Sequence, residues 1–373
     1  LGIRMRALVV GGGVVGLFAA YYLRREGAEV VLVDGLEPGE ASRAAAGILE
    51  FTRFKINRIN AVGYPTAYLS MLSRGAARIR HMDPKWILAY ARSYGRDPGE
   101  DAWEAVREMG RFSWAEYRRL AEERNDFDYA EEPLYELVDD VDKEVEELRR
   151  DPLGPKFEEA EFEGRRAVAY LDAAKLSTDL AARRIREEAA PGRIAAYAEA
   201  VGDGFVVAGG RRIEADVVVV AAGWRTSRLL GLPVAPFKGY GFRVKTPRRP
   251  RAMFIDLADT GVAVVPLGGW IKATGRFDMD STEDHSPAER VLAGARKLLG
   301  DVEVLDMAVG YRPCTPDGLP IVERLGERLV VAAGACRLGW TFGPALGRMA
   351  ADLALGRVKE ARFPSSRFSR PTP

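Results

Sequence analysis

An arginine fixed between a tyrosine and a proline, just ahead of a tight turn, is the side chain in this sequence best placed to do chemistry. In GYRPCTPDGLPIV, residues 310–322, Arg312 interrupts an otherwise apolar run, and Pro316, Asp317 and Gly318 suit successive positions of a type I turn. The planar guanidinium donates two parallel hydrogen bonds to a carboxylate, a pairing worth ~1.5–3 kcal/mol when sheltered from water. Arg312 is therefore a candidate anchor for the carboxylate of a small molecule. The competing role is a strand arginine paired with Asp306 or Asp317.

A second candidate site lies at the other end of the chain. RALVVGGGVVGLFAAYYLRREGAEVVLVD, residues 6–34, reads as a buried strand over 7–10, a helix over 14–26 and a second strand over 29–33 ending at Asp34. Gly11, Gly13 and Gly16 occupy the G-x-G-x-x-G positions, where they permit a tight turn, close approach to a pyrophosphate, and helix-to-strand packing. The phosphates then face the helix start at Val14 and Val15, whose amides and dipole favour anions. Asp34 stands where a carboxylate accepts hydrogen bonds from ribose hydroxyls. Dinucleotide binding follows, with FAD and NAD both open at this point. The small-residue segment GEASRAAAGILE, residues 39–50, allows backbone to approach a flat ligand around Ser42, Arg43, Ala45, Ala46, Gly47 and Ile48; an alanine-rich helix start is the alternative.

The elements that must position these groups come from a chain of 373 residues, 47% apolar, long enough for two domains sharing a core. A net charge of +1, with no basic block interleaved with aromatics, argues against nucleic acid and for a small-molecule partner. No leader-like stretch or long apolar span stands out, so the expectation is a cytoplasmic protein. The 2 cysteines, Cys314 and Cys336, are too few for a secreted disulfide scaffold and wrongly spaced for zinc; a disulfide between them stays open. Glutamine is absent and charged residues make up 29%, a composition that suggests a thermophilic source.

Residues 84–123 and 139–150 read as amphipathic helices with solvated Glu/Arg faces, and Trp86 and Tyr90 as core. Residues 172–188 read as a helix, 193–214 as short strands, and the four valines 217–220 as a strand buried on both faces, leading to Gly223 and Trp224. From Phe237 to Arg276, strands separated by Gly and Pro turns form an antiparallel sheet, on which Tyr240 and Phe242 share a face and could line a pocket. Lys238 is a weaker candidate. A strand over 302–309 leads into the arginine motif, another spans 328–334, and a glycine loop then feeds a C-terminal helix.

At GEASRAAAGILE, and more specifically at GYRPCTPDGLPIV followed by GACRLGWTFGPALGRMAADLA, the sequence resembles the D-amino-acid oxidase-like family of FAD oxidoreductases, in particular its D-amino-acid dehydrogenases. The resemblance runs from the first strand to about Leu355 and is weakest over 51–160. It implies an α/β fold with a discontinuous Rossmann-like FAD-binding domain (1–80, 160–235, 308–360), a substrate domain of antiparallel sheet and helices (81–159, 236–307) and a tail (361–373). It also implies noncovalently held FAD contacted by the residues above together with Gly223, Trp224, Leu338, Gly339, Trp340 and Thr341. If the first turn of the last helix points at the flavin pyrimidine, its dipole favours the charge that gathers there on reduction; capping by Thr341 is the rival account.

The implied reaction is dehydrogenation of a D-amino acid or imino acid such as D-proline by hydride transfer from Cα to flavin N5, with Arg312, Tyr240 and Phe242 at the substrate and electrons passed to a dye or quinone. The 2 histidines, His81 and His285, lie in no motif that should touch the flavin. Relatives often carry histidine before Leu-Gly-Trp-Thr, where this chain has Cys336 and Arg337, which leaves substrate preference open. Glycine, sarcosine or L-proline are alternative substrates, and a noncatalytic nucleotide-binding escort is the remoter alternative. The family also suggests peripheral membrane attachment, for which residues 64–79 offer an apolar and basic segment, a buried helix being the other reading.

Overall fold

The computed structural model describes residues 5–369. Parts of the expected first domain (1–4) and tail (370–373) lie outside the described residues. The first sheet has the order β19-β20-β13-β1-β2-β9. Its members are β1 (Arg6–Val10), β2 (Glu29–Val33), β9 (Gly192–Ile194), β13 (Val217–Val220), β19 (Ile321–Arg324) and β20 (Leu329–Ala333). All neighbours are parallel except β19 with β20. Helices α1 (Val14–Arg25), α6 (Thr178–Ala189) and α9 (Gly339–Ala354) pack around it, α1 against both of the others. The all-valine β13 is buried at every residue, as expected of a parallel strand covered on both faces.

A second sheet of eight strands has the order β18-β14-β17-β16-β15-β5-β7-β6. It comprises β5 (Leu134–Leu137), β6 (Phe157–Phe162), β7 (Arg165–Tyr170), β14 (Ala235–Lys245), β15 (Phe254–Asp256), β16 (Val262–Pro266), β17 (Ile271–Met279) and β18 (Glu303–Cys314). Only β15 with β5 is parallel. Helix α8 (Ala288–Leu299) covers one face against β14, β16 and β17. Two three-stranded sheets complete the framework: β3 (Ile48–Glu50), β8 (Ala173–Lys175) and β4 (Ala130–Glu131); and β10 (Ala198–Gly202), β11 (Phe205–Ala208) and β12 (Arg211–Glu214). The remaining helices are α2 (Tyr64–Ser73), α3 (Pro84–Ser93), α4 (Glu100–Glu123), α5 (Val141–Leu148) and α7 (Thr226–Leu230). An α/β molecule with a parallel nucleotide-type sheet and a mainly antiparallel second sheet is the expected class.

Three local expectations need correction. The helix read over 172–188 starts later: Ala173–Lys175 pair with β3, and Ser177 accepts a hydrogen bond from Leu180 N, capping α6 at its proper start. The strand read over 302–309 continues to Cys314, so Arg312 lies within the sheet. Helix α2 has no buried residue, so a buried helix over 64–79 is ruled out; it lies on the surface with Leu69 64% exposed.

One oddity of α9 matters for its placement. Pro344 sits inside the helix and has no N–H for the carbonyl of Trp340, four residues earlier. Tyr117 of α4 donates its hydroxyl to that carbonyl instead (2.6 Å). The helix stays intact because a neighbouring helix supplies the missing donor.

Candidate functional site

The end of β1, the start of α1, the segment 39–50 and the start of α9 form one cluster. Gly11 has φ +101°, and a Cβ there would run into the backbone of Ala221; a Cβ on Gly16 would run into Gly11 O. These two glycines are dictated by close approach of backbone. Asp34 is buried: Oδ2 accepts from Gly12 N (2.6 Å) and Oδ1 from Leu36 N (2.9 Å), each oxygen keeping further acceptor capacity. Ser42 Oγ accepts from Val14 N (2.9 Å), tying the small-residue segment to the first turn of α1 next to Val15. Gly13, extended at the N-cap of α1, has Ser42 Oγ as its nearest neighbour on the side-chain side.

The same segment is fixed at its far end and against the second sheet. Gly47 has φ +82° and faces Leu176 O so closely that no side chain fits; Ala45 and Ala46 precede it, and Ile48 opens β3. A Cβ on Gly241 would fall 2.5 Å from Ala44 O, and one on Gly310 2.9 Å from Ala44 Cβ. Gly239 and Gly310 are paired across β14 and β18. On the α9 side, Trp340 Nε1 donates to Ser42 O (3.1 Å) and Thr341 Oγ1 accepts from Glu50 N (3.2 Å). Thr341 therefore bridges to β3, and Leu338 occupies the N-cap, which removes the account in which Thr341 merely caps the helix. Gly339 packs on Val14, so the N-termini of α1 and α9 meet.

This cluster fits FAD. Its walls are backbone that a Cβ would fill, an acid stands at the end of β2, and helix N-termini converge beside a segment of small residues. Gly223, φ +57°, follows β13, whose end at Ala221 faces Gly11; Trp224 leans on Tyr311 (ring centroids 5.8 Å) and His81 (6.3 Å). Arg43 belongs to the segment by its backbone alone. Its side chain pairs with Glu40 (3.1 Å) and Asp306 (3.4 Å), while its carbonyl accepts from Thr178 Oγ1 (3.1 Å) and Lys272 Nζ (2.6 Å). Burial lowers the Lys272 pKa to about 8.

On β18, Arg312 pairs in register with Phe237 of β14, and its Nη1 donates to Arg276 O (2.9 Å). Its guanidinium lies 5.6 Å from the centroid of Phe277, and that of Arg337 lies 4.1 Å from the same ring. Among the described residues no carboxylate comes within ion-pair distance of either arginine. Asp306 is taken by Arg243 and Arg43, and Asp317 by Arg367 (2.7 Å), so the alternative pairings expected for Arg312 do not form. Burial, and then the charge of Arg337, push the Arg312 pKa down to about 10, which still leaves it a cation at neutral pH. The Tyr64 hydroxyl is buried and without a hydrogen-bond partner among the described residues. Burial raises its pKa, and the charges of Arg337 and Arg312 oppose that rise.

A disulfide joins Cys314, two residues beyond Arg312, to Cys336, next to Arg337. Asn57 adds a second stitch: its Nδ2 donates to Ala335 O (3.0 Å) and its Oδ1 accepts from Arg337 N (3.0 Å). Gly318, φ +78°, packs against the Asn57 backbone so closely that no Cβ fits, and its N–H donates to Thr315 O (3.2 Å), closing the turn expected after the arginine. Trp86 donates to Cys314 O (2.9 Å) and stacks on Tyr90.

Tyr240 and Phe242 require correction. They lie on the opposite face of β14 from the glycines, in a core with Val262, Ile271, Val291 and Leu292 under α8. Alternation along the strand sends Gly239 and Gly241 to the site face and the aromatics away from it. A Cβ on Gly239 would come 2.5 Å from Arg312 Nη1. Glycines two apart within a strand were the readable signal of close approach. Lys238 is also committed elsewhere, to Asp280 (3.0 Å) and the carbonyls of Thr282 and Asp284. Tyr64, Asn57 and Phe277 carried no motif and were missed.

Comparison with known proteins bears on this arrangement. The pattern describing the FAD dependent oxidoreductase (DAO) family matches residues 6–353. The chain is 56% identical over 368 residues to a D-proline dehydrogenase of Pyrobaculum islandicum, covering 98% of this chain and 100% of that protein. Among solved structures, glycine oxidase from Geobacillus kaustophilus aligns with a TM-score of 0.70 at 22% identity, covering 98% of each chain. An iminodiacetate oxidase from Chelativorans sp. aligns at 0.68 and 21%, again covering 98% of each. These two likenesses concern the fold alone.

Proposed function

The chain belongs to the FAD dependent oxidoreductase (DAO) family, and from that premise we propose that it is a dehydrogenase of D-amino acids, with D-proline or a related imino acid as substrate. The observation that carries this reading is Arg312: a half-buried guanidinium with no carboxylate within ion-pair distance among the described residues, on the strand whose Gly310 packs against Ala44 of the small-residue segment. Burying a charge without a partner is costly, and a substrate carboxylate offsets that cost through a bidentate pair. The Pyrobaculum islandicum protein, named a D-proline dehydrogenase, supports the choice of substrate.

When bound, FAD supplies the two-electron oxidation of the substrate Cα–N bond. The chain supplies position. The glycine turn, Asp34, Ser42 and residues 45–48 would hold the cofactor, with the start of α9 from Leu338 to Thr341 beside it and Gly223 and Trp224 at the neighbouring sheet edge. Arg312 would fix the carboxylate, and the aromatic wall of Phe277, Phe237 and Trp86 would exclude water. Tyr240 and Phe242 are left out of the site.

Electrons would pass to a dye or quinone. Supporting a surface partner, Val62, Leu69, Ile79, Met82 and Leu88 are exposed apolar residues around α2 and α3, interspersed with Arg74, Arg80, Lys85 and Arg92. Such a patch suits peripheral contact with an anionic membrane. No helix among the described residues is long and apolar enough to cross one.

The deciding experiment is anaerobic titration of the purified flavoprotein with a panel of D- and L-amino acids, following flavin absorbance. D-Proline should bleach it fastest. Bleaching by L-proline, glycine or sarcosine alone would overturn the substrate assignment, and no bleaching by any amino acid would overturn the enzyme reading.

A further inference from the structure

We propose that the carboxylate is held by two arginines, with Arg337 as the second arm of a clamp that Arg312 begins and the Tyr64 hydroxyl completes. The proposal rests on the amino-acid reading above and deepens it.

Three observations carry it. Arg312 and Arg337 approach one ring, Phe277, and neither has a carboxylate within ion-pair distance among the described residues. Two cations sharing one ring repel each other, and an anion bound between them would relieve that repulsion. The nearby acids are already committed: Asp278 holds Arg276 (2.8 Å) and accepts from Arg78 N (3.0 Å), and Glu50 holds Arg53 (2.7 Å). The Tyr64 hydroxyl, buried and unpartnered among the described residues, is a donor open to an acceptor.

Each arm is anchored through its backbone. Arg337 N donates to Asn57, and the disulfide Cys314–Cys336 ties the Arg312 strand to the Arg337 loop. Both guanidinium stems are thus held at one spacing before any ligand arrives, which lowers the ordering cost of binding. The clamp has an electrostatic consequence. Two positive charges beside the substrate carboxylate disfavour a protonated amine, and hydride loss from Cα requires the amine in its neutral form.

The test uses the flavin-loaded enzyme and two flat probes, pyrrole-2-carboxylate and pyrrole-2-carboxamide, titrated against flavin absorbance. Arg337→Ala should weaken the carboxylate about 10-fold or more and Arg337→Lys about 3-fold, with the carboxamide changed less than about 2-fold. For D-proline, Arg337→Ala should raise KM more than it lowers kcat, and should move the acidic limb of the kcat profile, which reports the bound amine, upward by about half a pH unit. Arg337→Met, which keeps the stem on Phe277, gives the same readings should the alanine variant lose flavin.

An unchanged carboxylate Kd in a flavin-loaded variant, or equal weakening of both probes, would overturn the clamp. If the wild type binds pyrrole-2-carboxylate through Arg337 while no amino acid bleaches the flavin, the clamp stands and the dehydrogenase reading falls.

Discussion

The proposed cofactor side and the proposed substrate side of this molecule are built by different means. The cofactor side is made of backbone: Gly11, Gly16 and Gly47 are dictated by atoms that pass too close for a side chain, and its acid and hydroxyl, Asp34 and Ser42, bond to main-chain amides. Most of it comes from residues 10–48. The substrate side is made of side chains gathered from far apart: Asn57 and Tyr64 from the first hundred residues, Phe277 from β17, Arg312 from β18 and Arg337 from the loop before α9. A backbone cradle tolerates no change of shape, whereas a side-chain clamp can be retuned one residue at a time.

The largest effect should come from violating the cradle. Gly16→Val drives a side chain into Gly11 O, and purified protein should contain no flavin, read from its absorbance and from the flavin released on denaturation. A flavin-loaded Gly16→Val protein would erase the contrast. Next, Arg312→Ala should leave flavin bound but lower kcat/KM by about 10-fold or more. Its control is Phe242→Ala on the other face of the strand, which should cost about 3–5 kcal/mol in urea unfolding and leave KM within about 2-fold.

A smaller effect should follow from removing the cross-link. Replacing Cys314 and Cys336 together by serine opens a loop with a sequence separation of 22, worth about 3 kcal/mol in the chain-entropy account. Flavin should be retained, Tm should fall, and KM should rise about 3-fold as the two arginines lose their fixed spacing. A KM that does not move would mean that packing alone sets the spacing.

The smallest effect concerns Lys272, on the boundary between the two regions. Its folded pKa of about 8 lies below the ordinary lysine value of roughly 10.4. Between those limits the unfolded chain binds more protons, so this group makes stability rise with pH from about 8 to 10, by about 2 kcal/mol. Lys272→Met should abolish that rise in urea denaturation midpoints taken at two pH values, and a rise that survives would assign it to another group.

The contrast also explains what could be read from the sequence. The cradle was legible because its parts are contiguous and each glycine has a steric reason that survives without coordinates. Arg312 stood out because its own turn frames it, and its role as carboxylate anchor is a proposal. Arg337 stood out as a departure from the family pattern, but its role depends on Phe277, which no spacing ties to it. Tyr240 and Phe242 misled because aromatic residues draw the eye toward a pocket, while strand alternation assigns the pocket face to the glycines between them. Asn57 was invisible: a single buried amide that serves the turn at Gly318 and the loop at Arg337 leaves no periodic trace.

Pro344 and Tyr117 carry a final consequence. Because the proline leaves one rung of the last helix open, and that rung is closed from α4, the two helices share a single permitted registration. Slippage by one residue would leave the Trp340 carbonyl without its donor in a dry interior, a cost that favours the observed pairing. The helix whose leading turn meets Ser42 and Glu50 is thereby indexed by a phenol from a stretch of chain that takes no other part in the chemistry.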